Sequence, residues 1–107
     1  MLFRSRYTKL ADGDRLALVP SSGLVVYRAG ASVVVAANGH VYRFPAHARL
    51  ERVAHGIRSG RQATVAQWIA EGRGIAKVAG EDVMATPAFV RMLLSTLFRM
   101  RAVDVVP

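Results

Sequence analysis

Read as apolar and polar positions, the chain changes character at Pro45. Before it, apolar residues come in short runs rich in valine. After it, they recur at spacings of three and four. Arg15 to Val19 (RLALV) alternates and predicts a strand, and Pro20-Ser21-Ser22-Gly23 marks a turn. Leu24 to Arg28 (LVVYR) is rich in β-forming residues, and Ala29-Gly30-Ala31 breaks it. Ser32 to Ala37 and His40 to Phe44 then flank Asn38-Gly39.

Asn-Gly between two β-rich runs predicts a hairpin, because a type I′ turn needs two residues at positive φ. With Asn38 and Gly39 as the loop, Ala37 faces His40, Val35 faces Tyr42 and Val33 faces Phe44. These pairs share one face of the ribbon. That face carries the aromatics and is expected to pack on the core. Val34 and Arg43 pair on the other face, expected to be partly wet.

The second half predicts helices. Leu50, Val53, Ala54 and Ile57 form a single stripe over 46–58, with Pro45 at its edge and Ser59-Gly60 ending it. A shorter helix over 62–70 places Val65, Trp68 and Ile69 on one side, with Trp68 expected in the core. Glu71-Gly72-Arg73-Gly74 stops it, and 74–80 reads as either strand or loop. Thr86-Pro87 is an N-cap followed by proline at the first helical position, where the missing N–H costs nothing. Glu81 and Asp82 lie just upstream, at a helix end that favours acid. Phe89, Val90, Leu93, Leu94, Leu97 and Phe98 then predict a broad buried face, with Arg91, Ser95 and Arg99 outside. Ala102 to Val106 reads as a closing strand.

The expected class is therefore α+β, a single domain over 1–107. A β-rich segment with the Asn-Gly hairpin (1–45) precedes three helices and a closing strand (46–107). Three helices with a strand leaving the third are the skeleton of a winged helix.

Composition narrows the function classes. A chain of 107 residues has room for one real core. Although 52% of the residues are hydrophobic, no apolar run approaches the roughly 20 residues a membrane span needs. The N-terminus MLFRSRYTKL has no apolar signal core, so no export signal and no membrane partner are expected. The absence of cysteine excludes disulfides and thiolate metal sites and fits a cytoplasmic location. The net charge is +8, and all but Lys9 and Lys77 of the 15 basic residues are arginine. That balance suits an acidic partner such as nucleic acid, a ribosomal surface or an acidic peptide, and equally an arginine-rich proteome.

No catalytic constellation stands out. His40, His47 and His55 form no H-x-D or H-x-E arrangement, and His47 and His55 lie roughly 12 Å apart along a helix. Asp12 and Asp14 sit in a turn-like loop, and the adjacent Glu81 and Asp82 do not face each other on regular structure. There is neither a G-x-S-x-G elbow nor a phosphate-binding G-x-x-x-x-G-K-[ST] loop. The chain is expected to be no enzyme and to carry no catalytic residue, cofactor or metal. The candidate partner-binding residues are Arg43; Arg58 and Arg61, around the turn between the first two helices; and Arg91, Arg99 and Arg101 on the last helix. They could meet phosphates, but the start of that helix, Ala85 to Val90, is apolar and offers nothing to base edges. The alternative is a solvated face whose arginine stems cover apolar surface.

The runs Pro20-Ser21-Ser22-Gly23-Leu24-Val25-Val26-Tyr27 and Ser32 to His40, with Phe44-Pro45, Leu50, Val53-Ala54 and the ending Leu93 to Val103, resemble the C-terminal region of cupin-type, JmjC-related ribosomal oxygenases of the RoxA-like group. The resemblance covers 15–106. It implies a winged-helix-like accessory domain of an iron- and 2-oxoglutarate-dependent protein hydroxylase. The iron ligands of that family lie in its cupin domain, and no residue here matches them. What carries over is protein contact: dimerisation, or docking of domain and substrate. The order of hairpin and three helices, with Asn38-Gly39, Gly60-Arg61, Asp82-Val83 and the stretch from Leu97 to Val106, is also similar to PqqD-like peptide chaperones. Those bind a leader peptide by strand addition, which here would use the edge at Leu24 to Arg28 or at Ser32 to Ala37. The expected partner is thus a protein or a second copy, with nucleic acid as the alternative class.

Overall fold

Asn38 and Gly39 both lie at positive φ, 50° and 84°, and they close the two-residue hairpin that their chemistry demands. The computed structural model describes residues 10–71 and 87–106. The expected N-cap at Thr86, the acids Glu81 and Asp82, the Asp82-Val83 pair and the segment 74–80 lie outside the described residues.

The chain runs β1 (Arg15–Leu18), a single 3-10 turn at Pro20–Ser22, β2 (Val25–Ala29), β3 (Ser32–Ala37), β4 (His40–Pro45), α1 (Ala48–Arg58), β5 (Ala63–Thr64), α2 (Val65–Glu71), α3 (Pro87–Arg99) and β6 (Val103–Val106). The fold is α+β. β2, β3 and β4 form one antiparallel meander, and β1 lies between β5 and β6 in a second antiparallel sheet.

The β3–β4 register is the expected one, with Ala37 opposite His40, Val35 opposite Tyr42 and Val33 opposite Phe44. Gly30, at φ 61°, turns β2 into β3, so Ser32–Ala37 is the central strand. That corrects its reading as a candidate binding edge: a strand paired on both sides has no backbone groups left for a partner. Two further corrections follow from the same topology. Val34, expected partly wet, is buried, because in the centre it is flanked by Tyr27 on one side and Arg43 on the other. Tyr42, expected in the core, is 42% exposed because β4 is an outer strand.

The helical stripes are buried as their spacing requires. Leu50, Val53, Ala54 and Ile57 of α1, Val65, Trp68 and Ile69 of α2, and Val90, Leu93, Leu94 and Leu97 of α3 join the inner face of the meander and Leu16 and Val103 of the second sheet in one core. His47 caps α1, its Nδ1 accepting the Arg49 N–H at 3.0 Å. The second helix begins at Val65 rather than Gln62, because Thr64 and Gln67 form a reciprocal capping box. The Gln67 N–H donates to Thr64 Oγ1 at 3.1 Å, and the Thr64 N–H donates to Gln67 Oε1 at 2.8 Å. The turn at Asp12–Asp14 offers its carbonyls to the same helix end: the N–H groups of Val65 and Ala66 donate to Asp14 O and Asp12 O.

The division at residue 45 does not separate two units. β1 supplies the middle strand of the sheet to which β5 and β6 belong, so among the described residues the second half has no sheet without the first.

Candidate functional site

The six arginines singled out in the sequence meet different fates. The Arg58 Nε donates to Leu24 O at 3.2 Å, beside the β2 edge. Arg61 donates to Glu71 Oε1 at 2.8 Å and stacks on the Trp68 ring, 4.9 Å from its centroid. Arg91 donates to Leu10 O at 3.1 Å and pairs with Asp12. These three hold elements together, and carboxylates answer the charges of Arg61 and Arg91, while Arg58 has a backbone carbonyl. Arg43, Arg99 and Arg101 have no carboxylate partner among the described residues.

The carboxylates show the reverse. Asp12 pairs with Arg91, Glu51 with Arg28, and Glu71 with Arg61 and Arg52. Asp14 Oδ2 accepts the Ala11 N–H, and Asp104 Oδ1 the Val105 N–H. The Arg61 hydrogen bond holds the Glu71 carboxyl below the usual carboxylate range, against a smaller opposing effect of partial burial. The same bond raises Arg61. A shallow polar groove of about 450 Å³ opens beside this pair, lined by Arg15, Arg61, Gln62, Gln67 and Glu71. Its Gln67 amide and Glu71 carboxylate are engaged with the chain itself. Among the described residues no three of His, Asp and Glu come together.

The unpaired arginines border a different feature. Between Arg15 and Leu50 the sequence contains no Asp or Glu at all, and this stretch holds the whole meander. Its inner face is covered by the core. Its outer face carries Val25, Tyr27 and Val41, which are 43%, 49% and 63% exposed. Arg43 stands on the same face, in the row Tyr27–Val34–Arg43.

The two edges of the meander differ. On the β2 side, α1 packs close by, Arg28 pairs with Glu51, and Arg58 occupies the outward carbonyl of Leu24. Neither β2 nor β4 has a further strand beyond it among the described residues, but β2 has α1 beside it. In a hairpin closed by two residues the flanking pair exchanges both hydrogen bonds, and bonded pairs then alternate. The Ala46 N–H donating to Ala31 O at 2.9 Å continues that phase. The N–H and C=O groups of His40, Tyr42 and Phe44 therefore point to β3, and those of Val41 and Arg43 point outward. The hairpin tip meets the end of α3: Asn38 Nδ2 donates to Met100 O at 2.9 Å and Arg101 O at 3.2 Å. That contact sets Arg101 beside the start of the open strand.

Of the sequence candidates, the structure thus places Arg43 on the open strand and Arg101 at its tip, and it assigns Arg58, Arg61 and Arg91 to intramolecular contacts. The open strand itself was not singled out in the sequence. Its signal was the pair of turns at Gly30 and Asn38-Gly39, which forces 32–37 into the middle and 40–45 to the outside. No helix is long and apolar enough to cross a membrane among the described residues.

Compared with known proteins, the chain matches no family model, no curated protein and no solved structure.

Proposed function

We propose that this chain is a non-catalytic, winged-helix-like interaction domain that contacts another protein through the outer face and open edge of its meander. The observation that carries the reading is the asymmetry of that sheet: one face is covered by the core and the β2 edge is flanked by α1, while the outer face presents apolar side chains and the β4 edge unpaired backbone. Exposed apolar residues gathered on one face mark contact surfaces more often than scattered ones do. The succession α1–β5–α2–α3–β6, with a three-stranded sheet, supports the winged-helix part of the reading and the accessory role that the oxygenase resemblance implies. A cysteine-free chain suits action in the reducing cytoplasm.

The nucleic-acid alternative is weakened by the engagement of Arg58, Arg61 and Arg91. Light scattering at low and high salt, with and without a short RNA duplex, separates the two. The proposed domain keeps its mass when RNA is added. A photocrosslinker at position 41 in the cell is expected to join the chain to protein, whereas one at the exposed Ala66 is not. Complexes with RNA that form at low salt and dissolve at high salt, with crosslinks landing on RNA, would sink the reading.

A further inference from the structure

We infer that the β4 edge takes an extended acidic segment of another protein as a fourth strand, its carboxylates set against Arg43 and Arg101. The inference rests on the protein-contact reading above and names the site and the chemistry of the partner. Three observations carry it.

The first is the backbone. The N–H and C=O groups of Val41 and Arg43 point away from β3, and Pro45 adds an outward carbonyl without an N–H. Two donors and three acceptors at alternate positions match an extended peptide, whose own groups recur every two residues. The second is the lack of protection. Open edges are usually blunted by charge, proline, bulges or a covering element. Among the described residues this one has Pro45 only at its far end, a single outward charge at Arg43, and exposed Val41 and Tyr42 between. The third is charge. No carboxylate lies between Arg15 and Leu50, Arg43 and Arg101 are unpaired among the described residues, and the chain carries a net charge of +8. A second copy would bring the same uncompensated arginine and the same net charge to the edge. An acidic strand brings the opposite sign.

The register sets the pattern of the segment. A partner residue opposite Arg43 and another opposite Val41 lie on the outer face, two positions apart. The residue between them falls beside Tyr42 on the inner side. An acid against Arg43, a second acid two positions on toward Arg101, and an apolar residue between them beside Tyr42 therefore fit, so the segment alternates acidic and apolar positions.

A fluorescein-labelled peptide alternating glutamate and valine is the probe, titrated by anisotropy against the full chain. It is expected to bind, to weaken with salt and to protect the Val41 and Arg43 amides from hydrogen exchange. Its version N-methylated at alternate amides, and its version with lysine for glutamate, are expected not to bind. Arg43→Glu lowers affinity for the glutamate peptide by roughly tenfold, as reversal of one exposed charge pair does, and Arg43→Gln has a smaller effect. Circular dichroism of both variants checks that the fold is retained. The inference is overturned if the glutamate peptide fails to bind, if N-methylation leaves its binding unchanged, or if a single-stranded RNA gives the same protection. It is overturned as well if the two amides are already protected in a dimer of the chain alone. Crosslinks from position 41 that still land on protein would then leave the protein-contact reading standing with a different occupant.

Discussion

At Gly56 a single hydrogen atom decides the packing of two helices. A Cβ there would sit 2.9 Å from Cζ3 and 3.0 Å from Cη2 of Trp68. The indole is fully buried and has no room to retreat. A glycine inside a helix costs about 1 kcal/mol relative to alanine, yet here the alanine is the worse residue. Gly56→Ala is expected to lower unfolding free energy by roughly 1–2 kcal/mol, the overpacking penalty less the helical gain, measured by denaturant titration. Arg101 shows the opposite case. Its φ of 62° puts a residue with a Cβ in the left-handed region that ends a helix, where glycine is at home. Arg101→Gly is expected to raise stability by about 0.5 kcal/mol, relief of backbone strain less the entropy of the freer unfolded chain, while weakening the acidic peptide. A calorimetric melting temperature that falls, or an affinity that holds, contradicts this. The burial of Trp68 was legible from its place with Val65 and Ile69. The environments of Val34 and Tyr42 were not, because alternation assigns a face and says nothing of whether a strand is central or outer.

Among the elements, the β3–β4 hairpin was the most legible, down to its register, because Asn-Gly admits one turn geometry and the turn then fixes every pair. β5 was not, since two residues carry no periodicity; they become a strand only because β1 lies alongside. The start of α2 was written in Thr64-Val65-Ala66-Gln67, a box that an apolar stripe alone overlooks. The hairpin also has a mechanical role that no local pattern announces: the Asn38 side chain ties its tip to the carbonyls of Met100 and Arg101 just past α3. Asn38→Asp keeps a residue tolerant of positive φ but replaces the amide donor with an acceptor facing two carbonyls. A loss of about 1 kcal/mol is expected for that unmade bond, and proton exchange at the hairpin tip should rise with it. Retained stability would mean that the tip is held by its own turn alone.

For the whole molecule, charge is distributed more informatively than its total suggests. The described carboxylates are spent on internal contacts near the helices and the chain's N-terminal turn, which leaves the meander without a negative group. The total was legible from composition, but this partition was not, because an arginine's partner depends on which elements come together. It has a consequence in acid. The Glu71 carboxyl is lowered by Arg61, so its contribution to stability is complete above the unfolded value and is lost as pH falls through the folded one. In Glu71→Gln that contribution is missing at neutral pH, and the stability curve should be flatter across the acid limb. A variant as acid-sensitive as the parent would show that the pair is screened out by solvent.

The middle strand of the second sheet is β1, and its neighbours β5 and β6 are made later, with Val106 opposite Arg15. During synthesis, at about 5–20 residues per second, Arg15–Leu18 leaves the ribosome seconds before its last partner exists. The meander closes on its own as soon as Pro45 emerges, since both its turns are local. β1 must wait with its β6 side unpaired until the chain has passed through all three helices. Completion of the domain is therefore timed by its final strand, and the contact between the two ends of the described chain is the event that seals it.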